Sequence, residues 1–150
     1  MLRDQINAAV KDAMKARDQR RVSALRLINS AIQKADLDAG GLGKPALTDV
    51  EILALLQKMI AQRQESAEIY EKAGRTELAA QERGEIEVIK GFLPQQMSEA
   101  EVKAAITDAI KQTGAASVKD MGKVMAALKE RYAGRMDFGK ASGAVKGMLG

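Results

Sequence analysis

Thr48-Asp49-Val50-Glu51-Ile52-Leu53-Ala54-Leu55-Leu56-Gln57-Lys58-Met59-Ile60 decides the fold. Thr48 followed by Glu51 is a capping box, in which each side chain accepts a backbone N–H that the first helical turn leaves free. Ile52, Leu55, Leu56, Met59 and Ile60 then recur at helical spacing, and Ile69 and Tyr70 extend the same face. Glu68 and Lys72 stand in the favourable order for an i,i+4 ion pair. No breaker intervenes before Gly74, which occupies the usual C-terminal glycine position. One long helix from Thr48 to Gly74 is therefore predicted, and the chain on both sides follows the same period.

Downstream, a helix from about Thr76 places Leu78, Ile86 and Ile89 inward and stops at Phe92-Leu93-Pro94, since the residue before proline avoids helical backbone. Ser98 and Glu101 form a second capping box. Val102, Ala105, Ile106, Ala109 and Ile110 line the next helix, which Gly114 closes. Ser117 is expected to cap the following helix, with Asp120 in its first turn. Its broad apolar side carries Val118, Met121, Val124, Met125, Leu128 and Tyr132, and Gly134 ends it. Asp137 caps a last helix with Phe138, Ala141, Val145, Met148 and Leu149 inward.

Upstream, Leu2, Ile6, Ala9, Val10, Ala13 and Met14 define a first helix ending near Arg17. Asp18 caps a second, with Val22, Leu25, Ile28, Ile32 and Ala35 on its stripe. Arg17, Arg20, Arg21 and Arg26 cluster at this junction; a solvated corner is a simpler reading than an RNA contact. Residues 39–45, with Gly40, Gly41 and Gly43 before Lys44-Pro45, read as a flexible linker. They lack the spacing of a phosphate-binding Walker loop. The result is an all-α chain of seven helices with no strand. An N-terminal antiparallel helical domain over 1–94 precedes a small three-helix bundle over 95–150.

Composition agrees. Of 150 residues, 46% are hydrophobic but only 3% aromatic, so the core is built from Ala, Leu, Ile, Val and Met, a mixture that favours helix over sheet. With no Cys and no His there is no thiolate nucleophile, no imidazole base, no disulfide and no set of common zinc ligands. No metal and no cofactor is expected. No apolar run is long enough for a membrane span, and the N-terminus lacks the apolar segment of a signal peptide. A cytoplasmic monomer with no membrane association is the expectation.

Catalytic candidates are few. Glu82, Glu85 and Glu87 crowd one helix, but Arg83 and Lys90 beside them point to a mixed-charge solvated face rather than an acid–base pair. No catalytic residue is assigned. Binding has a stronger case in the C-terminal third. Residues 95–150 hold nine Lys and Arg against six Asp and Glu, whereas residues 1–94 hold fifteen against fourteen. Lys119, Lys123, Arg135, Lys140 and Lys146 are the candidate contacts to a phosphate backbone. Gly139, Gly143 and Gly147 leave one side of the last helix nearly bare, which suits close packing of another helix better than an RNA backbone. The four aromatics read as core, so stacking on single-stranded bases is not expected, and recognition of a folded RNA by shape and phosphate remains.

The run Ser117-Val118-Lys119-Asp120-Met121-Gly122-Lys123-Val124-Met125, then Gly134-Arg135, Asp137 and Gly139-Lys140, resembles the tail of the B subunit of the glutamine-dependent aminoacyl-tRNA amidotransferase. Leu25-Arg26-Leu27, Gln57-Lys58-Met59-Ile60, Gln62-Arg63-Gln64-Glu65-Ser66, Tyr70-Glu71-Lys72-Ala73-Gly74-Arg75 and Phe92-Leu93-Pro94 resemble the small stand-alone proteins of the GatB/YqeY family. The resemblance implies an all-helical two-part fold and a tail module that contacts tRNA. It also implies tRNA, or a protein of the tRNA aminoacylation machinery, as partner. The family label of carbon–nitrogen ligase with glutamine as amido-N-donor belongs to an amidotransferase whose catalytic body this chain lacks, so turnover by the chain alone is not expected. A tRNA-binding accessory role is the leading expectation; the alternative is a helical protein–protein interaction module without RNA binding.

Overall fold

A computed structural model describes residues 1–150. It contains seven α-helices and no strand: α1 Leu2–Lys15, α2 Gln19–Gly41, α3 Asp49–Lys72, α4 Thr76–Lys90, α5 Glu99–Thr113, α6 Met121–Tyr132 and α7 Phe138–Leu149. Caps set most of these boundaries. Thr48 and Ser98 both make the reciprocal capping box, Asp18 accepts the Arg21 N–H, and Asp137 accepts the N–H groups of Gly139 and Lys140. Gly74 and Gly114 terminate α3 and α5 in left-handed conformation, φ 73° and 67°.

The chain divides into two compact units, Met1–Leu93 and Pro94–Gly150. In the first, α1 packs on α2, α3 and α4 form a helical hairpin, and α2 packs on α4. Ile6, Leu25, Ile28, Ile52, Leu56 and Ile89 are fully buried between them. A polar clasp ties α1, α2 and the approach to α3 together. Arg3 Nη1 and Nη2 each donate to an Asp36 carboxylate oxygen at 2.7 Å, Nη2 also donates to Leu47 O at 3.0 Å, and the Leu47 N–H donates to Asp36 Oδ1 at 2.9 Å. In the second unit, Ile106, Val124, Leu128 and Val145 form the centre of a separate core among α5, α6 and α7. Neither core contains a buried charged or polar residue.

Several local expectations need correction. Residues 39–41 are the last turn of α2, and a turn through Gly43, φ 73°, closes it, with the Lys44 N–H bonded back to Ala39 O at 2.8 Å. The linker is therefore short. The inward residue of α4 is Ala79, fully buried, rather than Leu78 beside it. The far half of α3 seals with Ala67 and leaves Ile69 60% exposed, because only its partner α4 is there to cover it. Met14 and Met148 are likewise exposed. Glu68 and Lys72 form no ion pair; Glu71 bonds Arg83 of α4 instead, since the hairpin offers a partner across the interface. Glu85 is not on a solvated face. Close packing of α3 on α4 places its carboxylate 2.9 Å from Arg63 Nε, with both side chains mostly buried. Burial, and then the neighbouring Glu85 charge, push the Glu82 carboxyl above the ordinary range.

Candidate nucleic-acid interface

The five cations singled out above all lie in the second unit, and the backbone around them is fixed by acids used as caps. Between α5 and α6 the chain makes a 3₁₀ turn, Val118–Asp120. Ser117 does not cap with its hydroxyl, contrary to expectation. The Asp120 carboxylate accepts the Ala116 N–H at 3.0 Å, and the Asp120 N–H donates to Ser117 O at 2.9 Å. An ionised acceptor makes the stronger hydrogen bond and so closes the turn in place of the hydroxyl. The Ala116 N–H is the main reason that the Asp120 carboxyl titrates below its ordinary value. This turn displays Lys119, and the first turn of α6 displays Lys123; both are exposed.

Gly134, left-handed at φ 76°, turns the chain after α6 and is held by the segment that enters α5. Gln96 Nε2 donates to Gly134 O at 2.6 Å, and the Met97 N–H donates to Arg135 O at 3.0 Å. Arg135 Nε donates to Gln95 O at 3.1 Å, and its guanidinium lies over the Tyr132 ring, 6.0 Å from the centroid. Arg135 is thus held at a set orientation with donors left over. Lys140 sits in the first turn of α7, its N–H bonded to Asp137 Oδ1 at 3.2 Å and its side chain exposed.

Arg135 and Lys140 come together, with Lys103, Glu99 and Asp137, along a groove of about 570 Å³ between α5 and α7. The groove is lined below by Val102, Ile106, Met136 and Met148. Lys146 does not join them. It lies six residues beyond Lys140, about 9 Å along the axis and roughly 120° around it. It belongs instead to the last turn of α7, next to Gly150, where an added Cβ would come 3.7 Å from Val118. The candidates therefore divide into a groove-side pair, Arg135 and Lys140, and cations toward the 3₁₀ turn, Lys119, Lys123 and Lys146.

The glycine side of α7 is not a helix-packing surface. A Cβ added at Gly143 or Gly147 would meet nothing within 4 Å, and at Gly139 it would approach only the Asp137 carboxylate. All three glycines face solvent.

What sequence reasoning missed is where the acids go. Every ion pair in the protein lies within residues 1–93. The second unit has none, despite nine Lys and Arg and six Asp and Glu. Three of those six acids, Glu101, Asp120 and Asp137, are occupied by backbone N–H groups at turns and helix starts. The capping boxes and Asp137 were visible in the sequence. A carboxylate that caps a helix is no longer free to pair with a lysine, and subtracting the capping acids from the charge count exposes the unpaired cations.

An all-helical two-unit chain whose second unit forms no ion pair is the class of protein that the fold defines. The sequence model described as Yqey-like protein matches residues 3–149, and the chain belongs to that family. Among its relatives, a Schizosaccharomyces pombe protein described only as uncharacterised is 33% identical over 93 residues, 62% of this chain and 72% of that protein. A Lachancea thermotolerans protein named altered inheritance of mitochondria protein 41, mitochondrial, is 36% identical over 107 residues, 69% of this chain and 54% of the relative. The Pyrenophora tritici-repentis protein of the same name is 28% identical over 131 residues, 84% of this chain and 70% of that one. No helix of this chain is long and apolar enough to cross a membrane.

Proposed function

We propose that this protein is a tRNA-binding accessory factor whose C-terminal unit contacts phosphates through Lys119, Lys123, Arg135, Lys140 and Lys146. The observation that carries the reading is the absence of any ion pair in that unit, combined with the engagement of Glu101, Asp120 and Asp137 by backbone N–H groups. Cations that hold no ion pair release bound counterions when they meet a phosphate backbone. The resemblance of residues 117–140 to the amidotransferase tail supports tRNA as the polyanion. The reading assigns no catalytic residue and no cofactor, and it has the protein acting as a monomer in the cytoplasm. The fungal relatives are mitochondrial by name.

The test is a tRNA mobility shift with the wild type and the Lys119→Glu/Lys123→Glu variant. The variant keeps its helicity and shifts tRNA more weakly. A folded variant that shifts tRNA like the wild type removes these residues from the site. One observation favours a second reading, a protein-interaction module: the apolar groove between α5 and α7. A partner that is retained after nuclease treatment and released by Met148→Glu would favour it. The amidotransferase label is tested by supplying mischarged tRNA, ATP and glutamine to the purified chain, where no turnover is expected without further subunits.

A further inference from the structure

We infer that the corner between α1 and α2 is a second phosphate contact for tRNA, made by Lys15, Arg17, Arg20 and Arg21; this rests on the tRNA reading above. Four helices of the protein end in the same hydrogen-bond pattern, in which the N–H one residue past a left-handed residue bonds back five positions. The bonds are Lys44 to Ala39 at 2.8 Å, Arg75 to Tyr70 at 2.8 Å, Ala115 to Ile110 at 3.2 Å and Asp18 to Ala13 at 3.0 Å. In three of the four the left-handed residue is glycine: Gly43, Gly74 and Gly114. In the fourth it is Arg17, φ 55°, the sole non-glycine residue with positive φ. Left-handed backbone is unfavourable for any ordinary residue with a Cβ, so glycine would serve this turn better. An arginine here is explained by its side chain and not by the turn.

Arg20 and Arg21 break a second local rule. They occupy the first turn of α2, where the helix dipole disfavours positive charge. That turn has no acid, like those of α6 and α7, which carry Lys123 and Lys140, whereas the first turns of α1, α3, α4 and α5 each carry at least one. The dipole at the end of α1 accounts for Lys15, but not for these two. None of the four side chains has an ion-pair partner, and all are exposed. The Asp18 carboxylate is engaged by the Arg21 N–H at 3.1 Å, and Asp12 pairs with none of them. Residues 11–21 hold five Lys and Arg against two Asp, while the remainder of residues 1–93 holds ten against twelve. The near-neutral first unit therefore carries one concentrated positive corner.

Three of the four cations are arginines, whose planar donors match phosphate oxygens in pairs. Residues 11–21 contain no aromatic, and Met14 is their one large exposed apolar side chain. That is too little apolar surface to seat the corner in a bilayer interface, so a nucleic-acid backbone fits better than a membrane.

The experiment compares wild type, Arg17→Gly, a triple variant Arg17→Gly/Arg20→Gln/Arg21→Gln, and Lys119→Glu/Lys123→Glu, all full length. Bulk tRNA binding is measured across a salt series. Arg17→Gly is expected to melt about 2–4 °C higher than the wild type while binding tRNA several-fold more weakly. The triple variant is expected to lose about tenfold or more in affinity, with a salt slope lower by roughly 2–3. A folded triple variant with wild-type affinity and slope overturns the inference, and leaves the tRNA reading standing if Lys119→Glu/Lys123→Glu still weakens binding. A wild type that binds no tRNA at low salt overturns both. A lower melting temperature for Arg17→Gly makes Arg17 a structural residue and also overturns it. So does a triple variant that loses phosphatidylglycerol vesicles but keeps tRNA.

Discussion

At the scale of single residues, the polar interactions that matter are those between helices. Asp36 receives both Arg3 nitrogens and the Leu47 N–H, and the Arg3 hydrogen bond is the largest cause of its carboxyl being lowered to about 2. A depressed folded value means that the clasp contributes fully above the unfolded carboxyl range, near pH 4, and is lost as pH falls through about 2. Asp36→Asn should therefore melt below the wild type at pH 7, and the two curves should converge as the pH approaches 2; parallel curves throughout would show that Asp36 acts by packing alone. Local caps such as Asp18, Thr48 and Ser98 could be read directly, because donor and acceptor lie within three residues of each other. The Arg3–Asp36 and Arg63–Glu85 pairs could not, because their partners lie 33 and 22 positions apart and only the packed helices bring them together.

At the scale of elements, periodicity located all seven helices, and the discrepancies arise where a helix has a partner on one side only. Leu78 and Ala79 differ by one position, about 100° around the helix, and α4 buries the Ala79 side and leaves Leu78 exposed. The glycine stripe of α7 was legible as a pattern, but its surroundings were not: glycine spacing is the same whether a neighbour or solvent lies opposite. Gly143 faces open space, so Gly143→Ala should raise stability by about 1 kcal/mol, the usual helix preference of alanine over glycine. Destabilisation on thermal melting would restore the close-packing explanation. Thr48→Ala, which removes the cap of α3, should cost about 0.5–2 kcal/mol by denaturant unfolding, and Thr48→Ser should recover most of it.

At the scale of the whole molecule, two cores of aliphatic residues support two units that use their charges differently. The first unit ties its helices with a few ion pairs, while the second forms none and engages three of its six acids with backbone N–H groups. Leu56→Ala in one core and Ile106→Ala in the other should each cost about 2–5 kcal/mol, since both side chains are fully buried. A fragment of residues 94–150 should give a cooperative helical melt by circular dichroism; a broad, non-cooperative melt would show that its core does not hold alone. The claim that joins these features is that the free cations meet tRNA phosphates. Its most direct test is the affinity of the full-length chain for tRNA as a function of salt concentration. Binding that weakens linearly in log–log form, with the slope reduced by about 1 for each of Lys119 and Lys123 removed, is the predicted result. Binding that is absent at low salt, or present but insensitive to both salt and these lysines, would contradict it.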